Sequence, residues 1–326
     1  MRLLVIGGTR FVGRHVVASA LERGHEVTIF HRGGAQPCIF AEAEHRHGDR
    51  NSDLSALRSG EWDATVDVNA YLPAQVSGLA DVLADRAGAF LFVSSISVYA
   101  PPPGPGLTED AELIELADPT VTDITDETYG GLKVLCERAA AKAYADELLI
   151  IRPTYVIGPY DYTWRLPHWL GRIAAGGDVL CPGPADAPVQ VIDGRDQASF
   201  MVAMLEKRRF GTFHTASPPP PYSLGDLLGA VRDTIGPPGT TLQWADPQAL
   251  RAAGLRDDHF PLWESAPDNT LAVDPAAAYA AGLAPRPLVD TIRDTWAWMN
   301  GPDARPVPGM GLPPEREREL IATLTP

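Results

Sequence analysis

The stretch Leu3-Leu4-Val5-Ile6-Gly7-Gly8-Thr9-Arg10-Phe11-Val12-Gly13 decides the fold. Residues 3–6 read as a short buried strand, and the spacing of apolar residues over 11–23 reads as an amphipathic helix. A glycine-rich turn between them lets backbone N–H groups approach a pyrophosphate, while the helix N-terminus adds favourable charge. Gly7 makes the tight turn and Gly8, Thr9, Arg10, Phe11 and Val12 line it. Gly13 lets the helix pack on the strand.

The same alternation continues outward from this unit. Residues 26–31, 64–68, 90–94 and 148–152 read as strands, and 73–85 and 129–145 as helices, the order expected of a parallel sheet covered on both faces. The expected class is α/β, a Rossmann-type doubly wound parallel sheet with a smaller C-terminal substrate lobe. After Pro153 the chain becomes rich in Pro, Gly and Trp. A strand at 190–193 leads into a helix at 195–206, and Pro218-Pro219-Pro220-Pro221 is a rigid connector. Beyond it, 223–235, 288–299 and 314–324 read as helices and 241–244 as a strand. The dinucleotide-binding domain is expected at 1–152 plus about 190–215. The substrate-binding lobe takes about 153–189 plus 216–326.

The net charge of −15 repels a phosphate backbone, so nucleic acid is not an expected partner. The basic clusters Lys207-Arg208-Arg209 and Glu315-Arg316-Glu317-Arg318 are short and flanked by acids, as solvated helix faces are. Cys38, Cys136 and Cys181 are odd in number and widely spaced. They fit reduced thiols in a cytoplasm rather than a disulfide framework, and no spacing points to a metal. No apolar run approaches the roughly 18 residues of a membrane span, so no membrane partner is expected.

Tyr129 and Lys133 lie four residues apart, on one face of a helix. A phenol has an unperturbed pKa of about 10, too high for an efficient proton shuttle at neutral pH. A neighbouring ammonium, with the positive charge of an oxidised nicotinamide, favours the phenolate and lowers that value. Lys133 can also hold the ribose hydroxyls. Ser94-Ser95 closes the strand at 90–94, where Ser95 can hold a substrate carbonyl beside Tyr129. Arg10 replaces the middle glycine of the turn. His31 and Arg32 stand where a carboxylate would otherwise meet the ribose 2′-hydroxyl. A guanidinium there pairs with a 2′-phosphate, which favours NADP, with NAD as the alternative. Asp49 and Arg50 follow the third strand beside the adenosine, and Asp49 can accept from the adenine amino group. Val68-Asn69-Ala70 ends a strand over the cofactor.

At this point the chain resembles the short-chain dehydrogenase/reductase superfamily, in the extended form that includes NAD-dependent epimerases and dehydratases. The matching stretches are 7–13, Asp49, Phe92-Val93-Ser94-Ser95-Ile96-Ser97-Val98-Tyr99, 129–133 with Glu137, Arg152-Pro153 through Gly158-Pro159, and Val191-Ile192-Asp193 through Asp196. The resemblance implies catalysis by Ser95, Tyr129 and Lys133, with Pro153-Thr154-Tyr155 along the nicotinamide face. It also implies a homodimer formed through the helices at 73–85 and 129–145. There are two departures. Tyr155 replaces the Asn that contacts a sugar diphosphate in nucleotide-sugar enzymes, and Val189 replaces an Arg. Both argue against a nucleotide sugar. The Gly-Gly-Thr-Arg-Phe opening resembles an atypical branch that includes chloroplast stem-loop RNA-binding relatives.

Tyr155, Tyr160, Tyr162, Trp164, Arg165, His168 and Trp169 crowd the segment after the nicotinamide-facing loop. Ser95, Tyr155, Arg165 and His168 are the expected substrate contacts, suited to a planar or largely apolar carbonyl compound. The leading expectation is an NADP-dependent carbonyl reductase or alcohol dehydrogenase acting on a non-nucleotide small molecule. The alternative is an epimerase or dehydratase that retains its cofactor. A nucleotide-sensing or RNA-binding protein without turnover is the third reading. It calls for a missing Tyr or Lys, and this chain keeps both.

Overall fold

The computed structural model describes residues 1–33, 39–101, 105–263 and 272–324. Cys38 lies outside them, whereas Cys136 and Cys181 are buried free thiols. The chain divides into two compact units. The first comprises Met1–Thr154, Gly194–Ala216 and Val273–Ala284; the second comprises Tyr155–Asp193, Ser217–Ala272 and Pro285–Pro326. The stretch Val273–Ala284, assigned from sequence to the substrate lobe, therefore belongs to the first unit. The Asp274 N–H donates to the Leu107 carbonyl at 2.7 Å, and the Tyr279 hydroxyl donates to the Ala216 carbonyl at 3.2 Å.

The first unit is built on seven strands: β1 (Arg2–Ile6), β2 (Glu26–His31), β3 (Glu44–His47), β4 (Ala64–Asp67), β5 (Ala89–Val93), β6 (Leu148–Pro153) and β7 (Gly211–Thr215). They lie side by side in the order β7-β6-β5-β4-β1-β2-β3, and every pair is parallel. This is a Rossmann-type sheet, in which the strand order reverses between β1 and β4. Ligands bind at such a switch point, outside the carboxyl ends of the strands. The polar edge strand β7, Gly-Thr-Phe-His-Thr, had no apolar run to mark it. Its pairing to β6 and burial of His214 and Thr215 make it a strand.

Four helices flank the sheet: α1 (Phe11–Glu22), α2 (Pro73–Leu83), α3 (Asp126–Tyr144) and α4 (Gly194–Glu206). The period of two along each strand sends Leu4, Ile6, Phe90 and Phe92 into one core with Val76, Leu79 and Leu83 of α2 and Cys136 and Ala140 of α3. Leu3, Val5 and Ile29 point to the opposite face, where α1 packs with α4. α3 begins three residues before the expected Tyr129. The Thr125 N–H donates to the Thr128 hydroxyl at 2.9 Å, and Asp126 and Glu127 suit the positive end of the helix dipole. That polar first turn carries no apolar period.

In the second unit, Tyr155–Ile157 pairs with Val191–Asp193 and Asp178–Pro182 with Thr241–Ala245, both in parallel. The helices Arg165–Ala174, Leu224–Ile235 and Leu288–Met299 bury Trp169, Leu170, Ile173, Leu227, Val231 and Ile292 in one core. The helix Pro314–Leu324 is held by buried Glu317, which accepts from Arg172 Nε at 2.6 Å and from the Leu180 N–H at 3.0 Å. Among the described residues no helix is long and apolar enough to cross a membrane, and no cluster of His, Cys, Asp and Glu could hold a metal.

Candidate active site

The glycine turn sits at the carboxyl end of β1. Gly7 has φ +91°, a backbone open to glycine, and a Cβ there would fall 2.9 Å from the Asn69 amide nitrogen. A Cβ on Gly13 would fall 2.4 Å from the Gly7 carbonyl oxygen, so the start of α1 closes directly onto the turn. Gly8 is a packing glycine, facing Val17 and Ile29. Phe11 is buried with its ring edge-on to His15, whereas Thr9 is half-buried and Arg10 exposed.

Ser95, Tyr129 and Lys133 come from β5 and α3. Ser95 lies two residues beyond β5; its Oγ accepts from the Ser97 N–H at 3.1 Å and donates to Ser97 Oγ at 3.0 Å. α3 approaches this corner through Gly130, where a Cβ would lie 2.0 Å from the Ser97 carbonyl oxygen. Neighbouring Tyr129 is half-buried, with its ring 6.2 Å from that of Tyr71. Lys133 is buried one turn further along α3. Its Nζ donates to the Ala70 and Val93 carbonyls, each at 2.9 Å, which leaves one of three ammonium donors uncommitted to them. It also lies 4.8 Å from the Phe92 ring and 5.0 Å from the Tyr71 ring, cation–π contacts that favour the charged form. Burial nevertheless pulls its pKa down to about 8. Cys136, one turn on, is pushed up to about 12 by burial and is an inert thiol. The next residue, Glu137, receives Arg152 Nε and Nη2 at 3.0 and 2.7 Å, which ties α3 to β6.

The end of β4 carries charge that the sequence reading did not use. Asp67 is fully buried and receives Arg50 Nη1 and Nη2 at 2.8 Å each. Arg50 also donates to Asn69 Oδ1 at 2.6 Å, so the Asn69 amide turns its nitrogen toward Gly7. Arg50 was expected to touch the cofactor. Its two terminal nitrogens donate to Asp67, Asn69 and the Gln75 carbonyl. Asp49 spends one carboxylate oxygen on the Asn51 N–H at 2.8 Å. An acid in a strand otherwise buried on both faces was the signal for the Arg50–Asp67 pair; Tyr71 and Phe92 carried none.

His31 sits in a hydrogen-bonded relay. The Gly33 N–H donates to His31 Nδ1 at 3.1 Å, which makes Nδ1 an acceptor. His31 Nε2 then carries the proton and donates to His45 Nδ1 at 2.9 Å, and His45 Nε2 donates to the Phe40 carbonyl at 3.1 Å. His31 is therefore neutral in this arrangement and supplies no charge to a 2′-phosphate; its pKa is lowered by burial and by His47 and His45. Arg10 and exposed Arg32 remain as the cationic candidates.

A dinucleotide fits the first unit on these features. The glycine turn lies at the switch point, Lys133 has a third donor beyond its two carbonyls, and the buried Ser94 hydroxyl just past β5 has no hydrogen-bond partner among the described residues. Val68 packs near Gly13. Thr154 donates its hydroxyl to the Thr215 carbonyl at 3.2 Å, in the strand exit that Pro153 ends. In the second unit, Arg165 lies 5.3 Å over the Tyr155 ring. His168 packs against Gly311, where a Cβ would meet its ring at 2.1 Å, and burial lowers its pKa to about 4. His168 is thus a neutral packing group. Val189 is buried in the short pairing of Pro188–Val189 with Tyr222–Ser223.

The sequence profile of the NAD dependent epimerase/dehydratase family matches residues 3–74 and 59–215, two overlapping segments that cover the turn, Ser95, Tyr129 and Lys133. The chain belongs to that family. The chain is 23% identical over 220 residues to the chloroplast stem-loop binding protein of 41 kDa b of Arabidopsis thaliana. That match covers 63% of this chain and spans about half (55%) of the relative's length. Among solved structures, the fold is similar to an epimerase-like protein from Burkholderia cenocepacia J2315 (TM-score 0.70, 22% identity, 91% of this chain and 97% of that one). It is also similar to a UDP-glucose 4-epimerase (TM-score 0.70, 16% identity, 94% and 100%). A third is the UDP-glucuronic acid 4-epimerase from Bacillus cereus in complex with NAD (TM-score 0.67, 17% identity, 92% and 98%). At these identities the structures establish the shared fold.

Proposed function

We propose that this family member is an NAD(P)-binding enzyme that epimerises or dehydrates a hydroxylated, non-nucleotide small molecule through transient oxidation. The observation that carries the reading is the contact of Gly130, next to Tyr129, with the Ser97 corner that follows Ser95, and the burial of Lys133 one turn further along α3, where its Nζ donates to the Ala70 and Val93 carbonyls. The family match favours a retained cofactor over net reduction. Against a nucleotide sugar stand Val189, buried in a strand pair, and Tyr155 in place of an amide. A stem-loop partner is not proposed, because a chain of net charge −15 repels a phosphate backbone.

The bound dinucleotide would supply the hydride-accepting nicotinamide, held by the Gly7–Gly13 turn, Asn69, Ser94 and Lys133. Tyr129 would take the substrate hydroxyl proton and later return one. Ser95 would hold the same oxygen, keeping it within reach of the phenol. Lys133, held by two carbonyls, would place its charge beneath Tyr129 and favour the phenolate. Arg10 and Arg32 support NADP as the preferred dinucleotide.

The test begins with the dinucleotide released by denaturing the purified protein, then follows turnover of hydroxylated compounds without added cofactor. Tyr129→Phe should retain the dinucleotide and lose turnover by roughly 10²–10⁴-fold. Stoichiometric consumption of added NADPH with a ketone would replace this reading with a carbonyl reductase. Full turnover by Tyr129→Phe would remove Tyr129 from the chemistry.

A further inference from the structure

We propose that the His31, His45 and His47 cluster makes the choice between NADP and NAD depend on proton uptake. The protonated cluster would receive a 2′-phosphate and the neutral cluster a bare 2′-hydroxyl. The inference rests on the dinucleotide reading above and adds to it a determinant that lies outside the Arg10 and Arg32 pair.

Three imidazoles converge at the carboxyl ends of β2 and β3. The His31 and His47 ring centroids are 4.6 Å apart and those of His31 and His45 are 5.1 Å apart. In strand register His31 stands opposite His47. The end of β2, roughly 20 residues after the glycine turn, is where a Rossmann-type sheet reads the ribose 2′-position. No carboxylate occupies that place here, so nothing in it rejects a phosphate by charge.

The relay from the Gly33 N–H through His31 and His45 to the Phe40 carbonyl is satisfied by one proton on each of these two rings. Adding a proton to His31 turns Nδ1 into a donor facing the Gly33 N–H, and that link must break. Adding one to His45 turns its Nδ1 toward the His31 N–H in the same way. Neutral, the relay is closed and offers no charge. An anion arriving at this end of β2 supplies the compensation that a second proton on the cluster lacks, so anion and proton should bind together. His47 is the exposed member and the most accessible to both.

The surrounding charges do not override this balance. α1 contributes Arg10 at its start and Arg14, whose guanidinium lies 5.8 Å over the Phe40 ring. Arg32 leaves β2 beside the cluster. On β3, Glu44 and Arg46 alternate to the other face, where they bond each other at 2.9 Å and Glu44 receives the Thr28 hydroxyl. Glu42 is exposed in the turn before β3, and Asp49 beyond it caps its own turn. The fixed cations attract a 2′-phosphate at every pH; the histidines add the part that titrates.

The experiment is calorimetric binding of NADP⁺ and NAD⁺ to the dinucleotide-free full chain at a series of pH values from about 8 down to about 6, in buffers of differing ionisation enthalpy. NAD⁺ is the internal reference in each protein. The ratio of NADP⁺ to NAD⁺ affinity should rise as pH falls, with a limiting slope of about tenfold per pH unit for one linked proton. Binding of NADP⁺, and not of NAD⁺, should take up protons from the buffer. The 2′-phosphate itself titrates near ~6, which opposes the trend, so the decisive comparison is with variants. In the protein carrying His31→Gln, His45→Gln and His47→Gln together the proton uptake should vanish. Should that protein fail to fold, exposed His47→Gln alone should reduce both the uptake and the slope. An affinity ratio with the same pH dependence in wild type and His47→Gln, with no difference in uptake, overturns the gate and leaves the dinucleotide reading standing. Failure of both dinucleotides to bind at every pH overturns the reading and the gate with it.

Discussion

Gly130 meets the carbonyl oxygen of Ser97 so closely that a Cβ at position 130 would lie 2.0 Å from it. Backbone on backbone, this contact sets α3 against the strand exit that carries Ser95. The relation of Tyr129 to Ser95 therefore depends on a residue that has no side chain.

Gly130→Ala should displace the first turn of α3 or the Ser97 corner. Neither can yield as a flexible side chain would, so the loss of stability should reach or exceed the ~1–3 kcal/mol usual for overpacking. Urea unfolding measures it. Gly171→Ala is the control, since a Cβ there finds only the Met299 methyl at 3.8 Å. Equal stability of Gly130→Ala and wild type would mean the contact is not tight.

Arg50→Met should be costly in a different way. It leaves Asp67, fully buried, without its bidentate partner, and breaking a buried pair on one side costs about 3–5 kcal/mol. The pair Arg50→Met with Asp67→Leu should recover part of that loss. Dinucleotide affinity should not recover with it, because the Asn69 amide has still lost the donor that orients it. Recovery of both by the double variant would show that Arg50 has no positioning role.

Lys133 carries a pH signature. Its folded pKa, lowered to about 8 by burial, lies below the ordinary value of 10.5. Between those values the unfolded chain holds the proton and the folded chain does not, so stability should rise with pH across that window. Below about 8 the cost of burying the ammonium is fully present. Lys133→Met should remove this slope in chemical denaturation of the dinucleotide-free protein. On the proposed chemistry, in which the ammonium favours the Tyr129 phenolate, turnover should fall as pH rises through about 8. A slope that persists in Lys133→Met would assign it to other groups.

NADP should bind more tightly than NAD at neutral pH, through Arg10 and Arg32. Replacing both with Ala should erase most of the difference, each charged contact being worth on the order of 1–3 kcal/mol. Titrations of the two dinucleotides measure this directly. Equal affinities in the unmodified chain would remove both arginines from the ribose site.

The fold could be read from the chain because its signals are local. The step from the apolar run at 3–6 to glycines and then to a 3.6-residue period is a property of neighbours in sequence, and so is the four-residue spacing of Tyr129 and Lys133. The polar edge strand β7 and the acidic first turn of α3 carried no such period, and only pairing and capping made them regular. The fates of individual side chains were decided by contacts between distant segments. Arg50 pairs with Asp67 because the sheet buries that carboxylate beside it, and a buried carboxylate claims the nearest guanidinium. His31 became a neutral link because β3 brings His45 within 2.9 Å of it and Gly33 supplies a donor on the other side. Charge state follows from burial and partners, and those exist only once the chain has folded.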